Sequence, residues 1–200
     1  WKFYKKSKLR KSNSIKSVSK IIIRKKLLKK RKLFYSENQK INFSKIVKIL
    51  LKKNIKKSII GGYFPINHEI DDLNILREFE KNKYKISLPV IQKNKQMHFY
   101  SWSFTKYLKL NRYGIPEPDK NKIVYPDILL VPMVAFDNKR FRLGYGGGYY
   151  DRYISSIKDK KHFISIGLAF DFQKVKRLPI NKFDKKIDII VTNKKIYIWK

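Results

Sequence analysis

DILLVPMVAFDNKRFRLGYGGGYYDR, residues 127–152, is the stretch whose reading decides how this chain folds. Its first ten residues, Asp127 to Phe136, form a continuous apolar run, the pattern of a strand buried on both faces of a sheet. Four glycines follow within a short loop, and the spacing then predicts a helix from about Tyr149 to Ile157. Strand, glycine turn and helix in that order are half of a βαβ unit, so the neighbouring segments should alternate in the same way.

They do so in both directions. Upstream, SIIGGYF reads as a strand from Ser58 to Phe64 ended by Pro65. Asp71 or Asp72 then caps a helix packed through Leu73, Leu76 and Phe79. Strands are predicted at Lys85–Ile91 and Met97–Trp102, before the Pro-rich turn GIPEP, Gly114 to Pro118. Downstream, strands are expected near His162 to Phe170 and Asp188 to Thr192. Two helices precede all of these. One starts at Lys20 with Ile23, Leu27, Leu28 and Leu33 near one face. The other is capped by Ser44 and has an apolar stripe of Ile46, Val47, Ile49, Leu50 and Leu51. The fold class is therefore α/β with a mostly parallel sheet, which places ligands at the carboxyl ends of strands.

Composition narrows the chemistry. At 200 residues with 42% hydrophobic content, the chain can bury one sizeable core. Residues 1–19 are rich in Lys and Ser, contain no acid, and are expected to be a disordered basic extension; residues 20–200 are expected to form a single domain. The absence of cysteine excludes disulfides, thiolate nucleophiles and Cys-based metal sites. His68, His98 and His162 show no metal-ligand spacing. The apolar run at 128–136 is well short of the roughly 20 residues that cross a bilayer, so a cytoplasmic protein without membrane attachment is expected. A net charge of +34 suits a polyanion binder. Only nine of the 49 basic residues are Arg, however, and no zinc finger, RNP motif or basic heptad array organises them. A specific nucleic-acid function is not expected, and steep salt dependence of binding would be its mark.

The run RLGYGGGYYDR, Arg142 to Arg152, has the context of a phosphate-binding loop. Gly144 and Gly146 to Gly148 permit positive φ and let backbone N–H groups converge on an anion. The helix behind them adds a favourable dipole. Arg142 can neutralise phosphate charge, and Asp151 in the first helical turn can hold Mg²⁺. The spacing is neither the GxxxxGK[ST] pattern nor a full GxGxxG fingerprint, because Tyr149 stands at its third position. A plain flexible turn is the alternative.

This run resembles the signature of the 5-formyltetrahydrofolate cyclo-ligase, or methenyltetrahydrofolate synthetase, family. The likeness extends from Lys20 to about Thr192 and takes in YFPINHEID (Tyr63 to Asp71), GIPEP, VPMVAFD, IGLAFDFQ (Ile166 to Gln173) and LPINKFDKKID (Leu178 to Asp188). It implies a three-layer α/β/α sandwich. It also implies ATP contacts at Lys20, Arg24, Arg142, Leu143, Gly144, Tyr145, Gly146, Gly147, Gly148, Tyr149 and Tyr150. The folate substrate, with or without a polyglutamate tail, would meet Phe64, Glu69, Tyr113 and the stretch Tyr145 to Tyr149. Asp151 and Asp184 would be associated with Mg²⁺, and Arg142, Tyr149 and Asp151 would serve the reaction in a monomeric enzyme. In that reaction the formyl oxygen takes the γ-phosphoryl group of ATP, N10 attacks the activated carbon and phosphate leaves. His68, Asp72 and Ile23 depart from the family pattern. The KxxLR element also occurs at Lys6 to Arg10, but the copy at Lys20 to Arg24 has the family-like distance to Glu69. Taken alone, Glu69 reads equally well as a cap of the next helix and Asp184 as a turn residue. Fold by itself does not separate this family from other phosphate-ligand α/β proteins such as sugar-phosphate isomerases or CoA-transferases.

Overall fold

The computed structural model describes the backbone of residues 2–35, 41–52 and 58–198, and the side chains of residues 17–35, 41–51 and 58–198. Two helices, α1 (Lys2–Phe34) and α2 (Phe43–Lys52), precede β1 (Ile59–Gly61) and α3 (Leu73–Lys81). The hairpin β2 (Lys85–Ile91) and β3 (Met97–Trp102) is followed by short strands β4 (Lys109–Leu110), β5 (Pro116–Glu117) and β6 (Ile123–Val124). Then come β7 (Ile128–Pro132), β8 (Ala135–Asp137), β9 (Arg142–Leu143) and α4 (Tyr149–Ile157). The chain closes with β10 (Ile164–Ala169), β11 (Lys174–Val175), β12 (Ile189–Thr192) and β13 (Ile196–Ile198).

The main sheet has the order β13-β12-β10-β7-β1-β2-β3-β6. Its middle strands, β12, β10, β7, β1 and β2, run parallel, and antiparallel strands cap both edges. Alternation along each strand sorts side chains to two faces. Ile128 and Leu130 of β7 join α2 and α3 in one core, whereas Leu129 and Val131 join Tyr153, Ile154 and Ile157 of α4 in another. These layers are the expected three-layer α/β/α sandwich. The chain leaves β1 toward β2 and returns to its other side as β7, so the switch point, where such sheets bind ligands, lies at the carboxyl ends of β1 and β7.

Helix α1 takes in the backbone of residues 2–19 as well as that of 20–34. The sequence has no Gly or Pro before Gly61, and once residues 20–34 are docked the helix can propagate outward at little further cost. Leu33 and Leu51 are 71% and 73% exposed and lie off the apolar faces assigned to them. The helix at 43–52 is capped by Asn42, whose Oδ1 accepts the Ser44 N–H at 2.9 Å, rather than by Ser44. The apolar run at 127–136 is two strands, because the chain turns at Met133 and Val134. Gln173, itself buried, donates from Nε2 to both of their carbonyls, at 2.7 and 2.9 Å. Side chains stay buried through that bend, so hydrophobicity gives no sign of it.

Candidate active site

The glycine loop leaves β9, itself paired with β8, and ends at the N-terminus of α4. Gly146 and Gly148 hold φ of 109° and 67°, a region that L side chains rarely adopt. Gly144 and Gly147 do not, which corrects the expectation of positive φ at those two positions. A Cβ on Gly147 would instead lie 2.5 Å from the Tyr149 ring. Leu143 also differs from its assignment as a contact residue. Its side chain packs with Leu27, Val134 and Leu178, and its carbonyl accepts the Val134 N–H at 2.7 Å, so it anchors the loop from behind.

Helix α1 brings cations to this loop. Lys20, Arg24, Leu27 and Arg31 follow one another at spacings that keep them on one helical face. Leu27 presses that face onto β8 and β9. The Arg24 Nε donates to the Gly144 carbonyl at 2.7 Å, and Lys20 Nζ lies 2.6 Å from Asp184 Oδ2. Beneath the loop, the nearly buried Arg142 faces Asp151 through two contacts of 3.3 and 3.4 Å. Asp151 also accepts the Lys185 N–H at 3.0 Å. Burial lowers the pKa of Arg142, and the charges of Asp151, Tyr150 and Asp184 oppose that shift. The structure thus gathers Lys20, Arg24, Arg142, Asp151 and Asp184 from four separate parts of the sequence.

Asp184 is a turn residue as well, accepting the Asn181 N–H at 2.7 Å, so the two readings of it coexist. No group of three or more His, Cys, Asp or Glu side chains that could hold a metal occurs among the described residues. An ion at Asp151 and Asp184 would therefore need oxygens from a ligand and from water, a pattern that suits Mg²⁺ on a nucleotide better than a resident metal.

The substrate assignments fall in two cavities. Phe64 and Glu69, with Tyr35, His68 and Leu73, line one of about 270 Å³. Tyr113, with Arg112, Tyr100 and Lys120, lines an open one of about 720 Å³. The glycine loop reaches both. The Tyr145 hydroxyl lies 3.5 Å from the Ile66 carbonyl, beside the smaller cavity, and the Tyr149 hydroxyl lies 3.4 Å from that of Tyr113, in the larger.

Glu69 does not cap α3. Its Oε2 accepts the Ile66 N–H at 2.9 Å, while its buried Oε1 has no partner. Burial pushes the carboxyl up to about 7, against the opposing pull of the Ile66 N–H and the Arg31 charge. Of the two candidate caps, Asp71 takes the Leu73 N–H at 2.9 Å, whereas Asp72 turns inward to the Tyr63 N–H at 2.8 Å. Burial raises the Asp72 carboxyl well above its ordinary range. Tyr150, assigned to the nucleotide, points into this interior instead. Its hydroxyl is buried without a partner, and the Arg142 guanidinium lies 5.7 Å from its ring centre.

Residues that the sequence reading missed are Arg31, Asp72 as a buried acid, and Gln173. Arg31 sits within KKRK, where composition marks every side chain as solvated. Only its phase with Lys20 and Arg24 sets it apart.

Comparison with known proteins agrees with this geometry. The profile of the 5-formyltetrahydrofolate cyclo-ligase family matches residues 16–193. A 5-formyltetrahydrofolate cyclo-ligase of Haemophilus influenzae is 36% identical over 143 residues, covering 66% of this chain and 74% of the relative. One from Mycoplasma genitalium is 31% identical, covering 78% of this chain and 84% of its own. Among solved structures, the 5,10-methenyltetrahydrofolate synthetase of Aquifex aeolicus superposes with a TM-score of 0.70 at 30% identity, covering 88% of this chain and 91% of that one. The Mycoplasma pneumoniae synthetase superposes with a TM-score of 0.68 at 26% identity, covering 87% and 98%. By a profile match over most of its length, the chain belongs to the 5-formyltetrahydrofolate cyclo-ligase family.

Proposed function

We propose that the chain cyclises 5-formyltetrahydrofolate to 5,10-methenyltetrahydrofolate, consuming ATP with Mg²⁺ and releasing ADP and phosphate. The observation that carries this reading is that one loop joins the α1 cations to the Glu69 side: Arg24 donates to its start at Gly144, and the Tyr145 hydroxyl lies 3.5 Å from the Ile66 carbonyl beside the Glu69 pocket.

The chain's own groups account for each requirement. Backbone N–H groups of the glycine loop and the N-terminus of α4 face the phosphates. Lys20, Arg24 and Arg142 supply positive charge where the phosphoryl group transfers, and their partial burial strengthens that charge. Asp151 and Asp184 would hold Mg²⁺, which supplies charge neutralisation on the phosphate oxygens. Phe64 offers a flat wall for the pterin, and the unpartnered Oε1 of Glu69 is the acceptor for a ring N–H.

With the ligands so held, the formyl oxygen attacks the γ-phosphorus, and the bond to the β-phosphate oxygen breaks. The N10 lone pair then forms a bond to the formyl carbon, the carbon–oxygen bond breaks to release phosphate, and N10 gives up its proton. No protein nucleophile takes part, in keeping with a chain that has no cysteine; orientation and charge do the work. The test is the growth of methenyltetrahydrofolate absorbance when the folded chain is mixed with 5-formyltetrahydrofolate, Mg²⁺ and ATP. No ATP-dependent growth would reject the reading.

A further inference from the structure

Arg31 is 1% exposed, on a helix whose neighbouring cations face solvent. Its guanidinium reaches three separate segments. The Nε donates to the Asn67 carbonyl at 2.9 Å, in the connection that follows β1. One terminal nitrogen donates to the Met133 carbonyl at 3.3 Å, at the bend after β7. The other donates to the Tyr145 hydroxyl in the glycine loop, and the Arg31 Cζ lies 5.7 Å from the Tyr145 ring centre.

The first two segments are the switch point of the sheet, and two carbonyl bonds would be enough to tie them together. The third donor goes to a side chain that is itself 39% exposed and belongs to the ligand-facing loop. A buried guanidinium is expensive unless its fork is used, and here the fork connects the pocket wall to the loop. Glu69, with its free Oε1, lies within the field of the same charge. The backbone it braces is also unusual: Asn67 and His68 both hold positive φ, at 48° and 61°. A non-glycine pair in that region persists only when its surroundings fix it, and the Arg31 bond to Asn67 is one of the contacts that does so.

We propose that Arg31 is a positioning residue that sets the affinity for the folate substrate by holding Tyr145 against the Glu69 pocket. The assignment rests on the cyclo-ligase reading. Wild-type turnover, measured first, separates a failure of that reading from a failure of this one.

The experiment is a double-mutant cycle on the full chain. Tyr145→Phe removes only the hydroxyl and lies in an exposed loop, so it keeps the fold. It should raise KM for 5-formyltetrahydrofolate about tenfold, the size of one lost charge-assisted hydrogen bond, with kcat within about twofold of wild type. Arg31→Lys keeps the charge but cannot span three acceptors, and should raise the same KM by a similar factor. The double variant should be no worse than the weaker single. Effects that multiply to about a hundredfold, as two independent losses would, overturn the proposal. An unchanged KM in Tyr145→Phe overturns it as well, whether or not Arg31→Lys folds.

Discussion

At the glycine loop the ligand-facing groups are largely backbone, exposed, and framed by cations delivered from α1. At the Glu69 pocket they are side chains, buried, and partly unpaired. The loop needs φ values that only glycine adopts without strain, so its function is written in residue type. The pocket needs a carboxyl, a guanidinium and a tyrosine hydroxyl brought together by the fold, and none of these is rare in a chain with 49 basic residues and 13 tyrosines. A sequence motif records local backbone demands far better than it records a polar cluster assembled across a sheet.

The largest expected effect lies beneath the loop. Asp151→Asn removes the charge facing Arg142 and should lower kcat by about a hundredfold or more. It should also lower the melting temperature, since a buried guanidinium loses its counter-charge. Turnover followed across a Mg²⁺ titration separates the two roles: wild-type Mg²⁺ dependence in the variant would remove Asp151 from the metal.

Next comes the loop itself. Gly146→Ala places a Cβ on a residue at φ of 109°, where the backbone itself is strained even though the nearest atoms, those of Arg24 at 3.6 Å, leave room for it. ATP affinity measured by calorimetry should fall about tenfold to a hundredfold with the fold intact. Unchanged affinity would make the loop an ordinary turn.

The pocket is tested by pH. The Glu69 carboxyl is raised from its ordinary 4.5 to about 7, so the unfolded chain releases that proton first. Stability should therefore fall as pH rises from 4.5 to 7, by on the order of 3 kcal/mol from this group. Urea unfolding of wild type and Glu69→Gln at several pH values isolates the contribution, because Asp72 and the other acids remain in both. Parallel pH curves for the two proteins would mean that Glu69 ionises freely in the fold.

The smallest effect belongs to Lys20. It forms a partly exposed ion pair with Asp184, so Lys20→Met should raise KM for ATP about threefold and leave the melting temperature nearly unchanged. A loss as large as that of Asp151→Asn would make Lys20 as important to the transfer as that carboxylate.

How far the sequence could be read follows the same division. The strands at 85–91 and 97–102 and the helix at 149–157 lie where period and turn signals put them. The break between β7 and β8 is masked by unbroken hydrophobicity, with only Pro132 at the end of β7 to mark it, and it is held by hydrogen bonds from Gln173, a residue 40 positions from Met133. Among site residues, the glycines, Arg142, Asp151 and the pair Lys20 and Arg24 were named from the sequence, and the fold brings Arg24 to the loop and Arg142 to Asp151. Tyr150 and Leu143 were placed on the nucleotide because they sit inside the motif, although packing turns the hydroxyl of one and the side chain of the other inward. Arg31 was hidden by its neighbours: within a run of lysines, its phase with Lys20 and Arg24 is the one sign in the sequence, and its burial belongs to the fold.

The claim that joins loop and pocket is that the formyl oxygen held over Glu69 receives the phosphoryl group delivered at the glycine loop. Substrate carrying ¹⁸O in the formyl group tests it directly, with mass analysis of the released phosphate. Each phosphate released should carry one ¹⁸O for every methenyltetrahydrofolate formed; unlabelled phosphate alongside the same product would contradict that transfer.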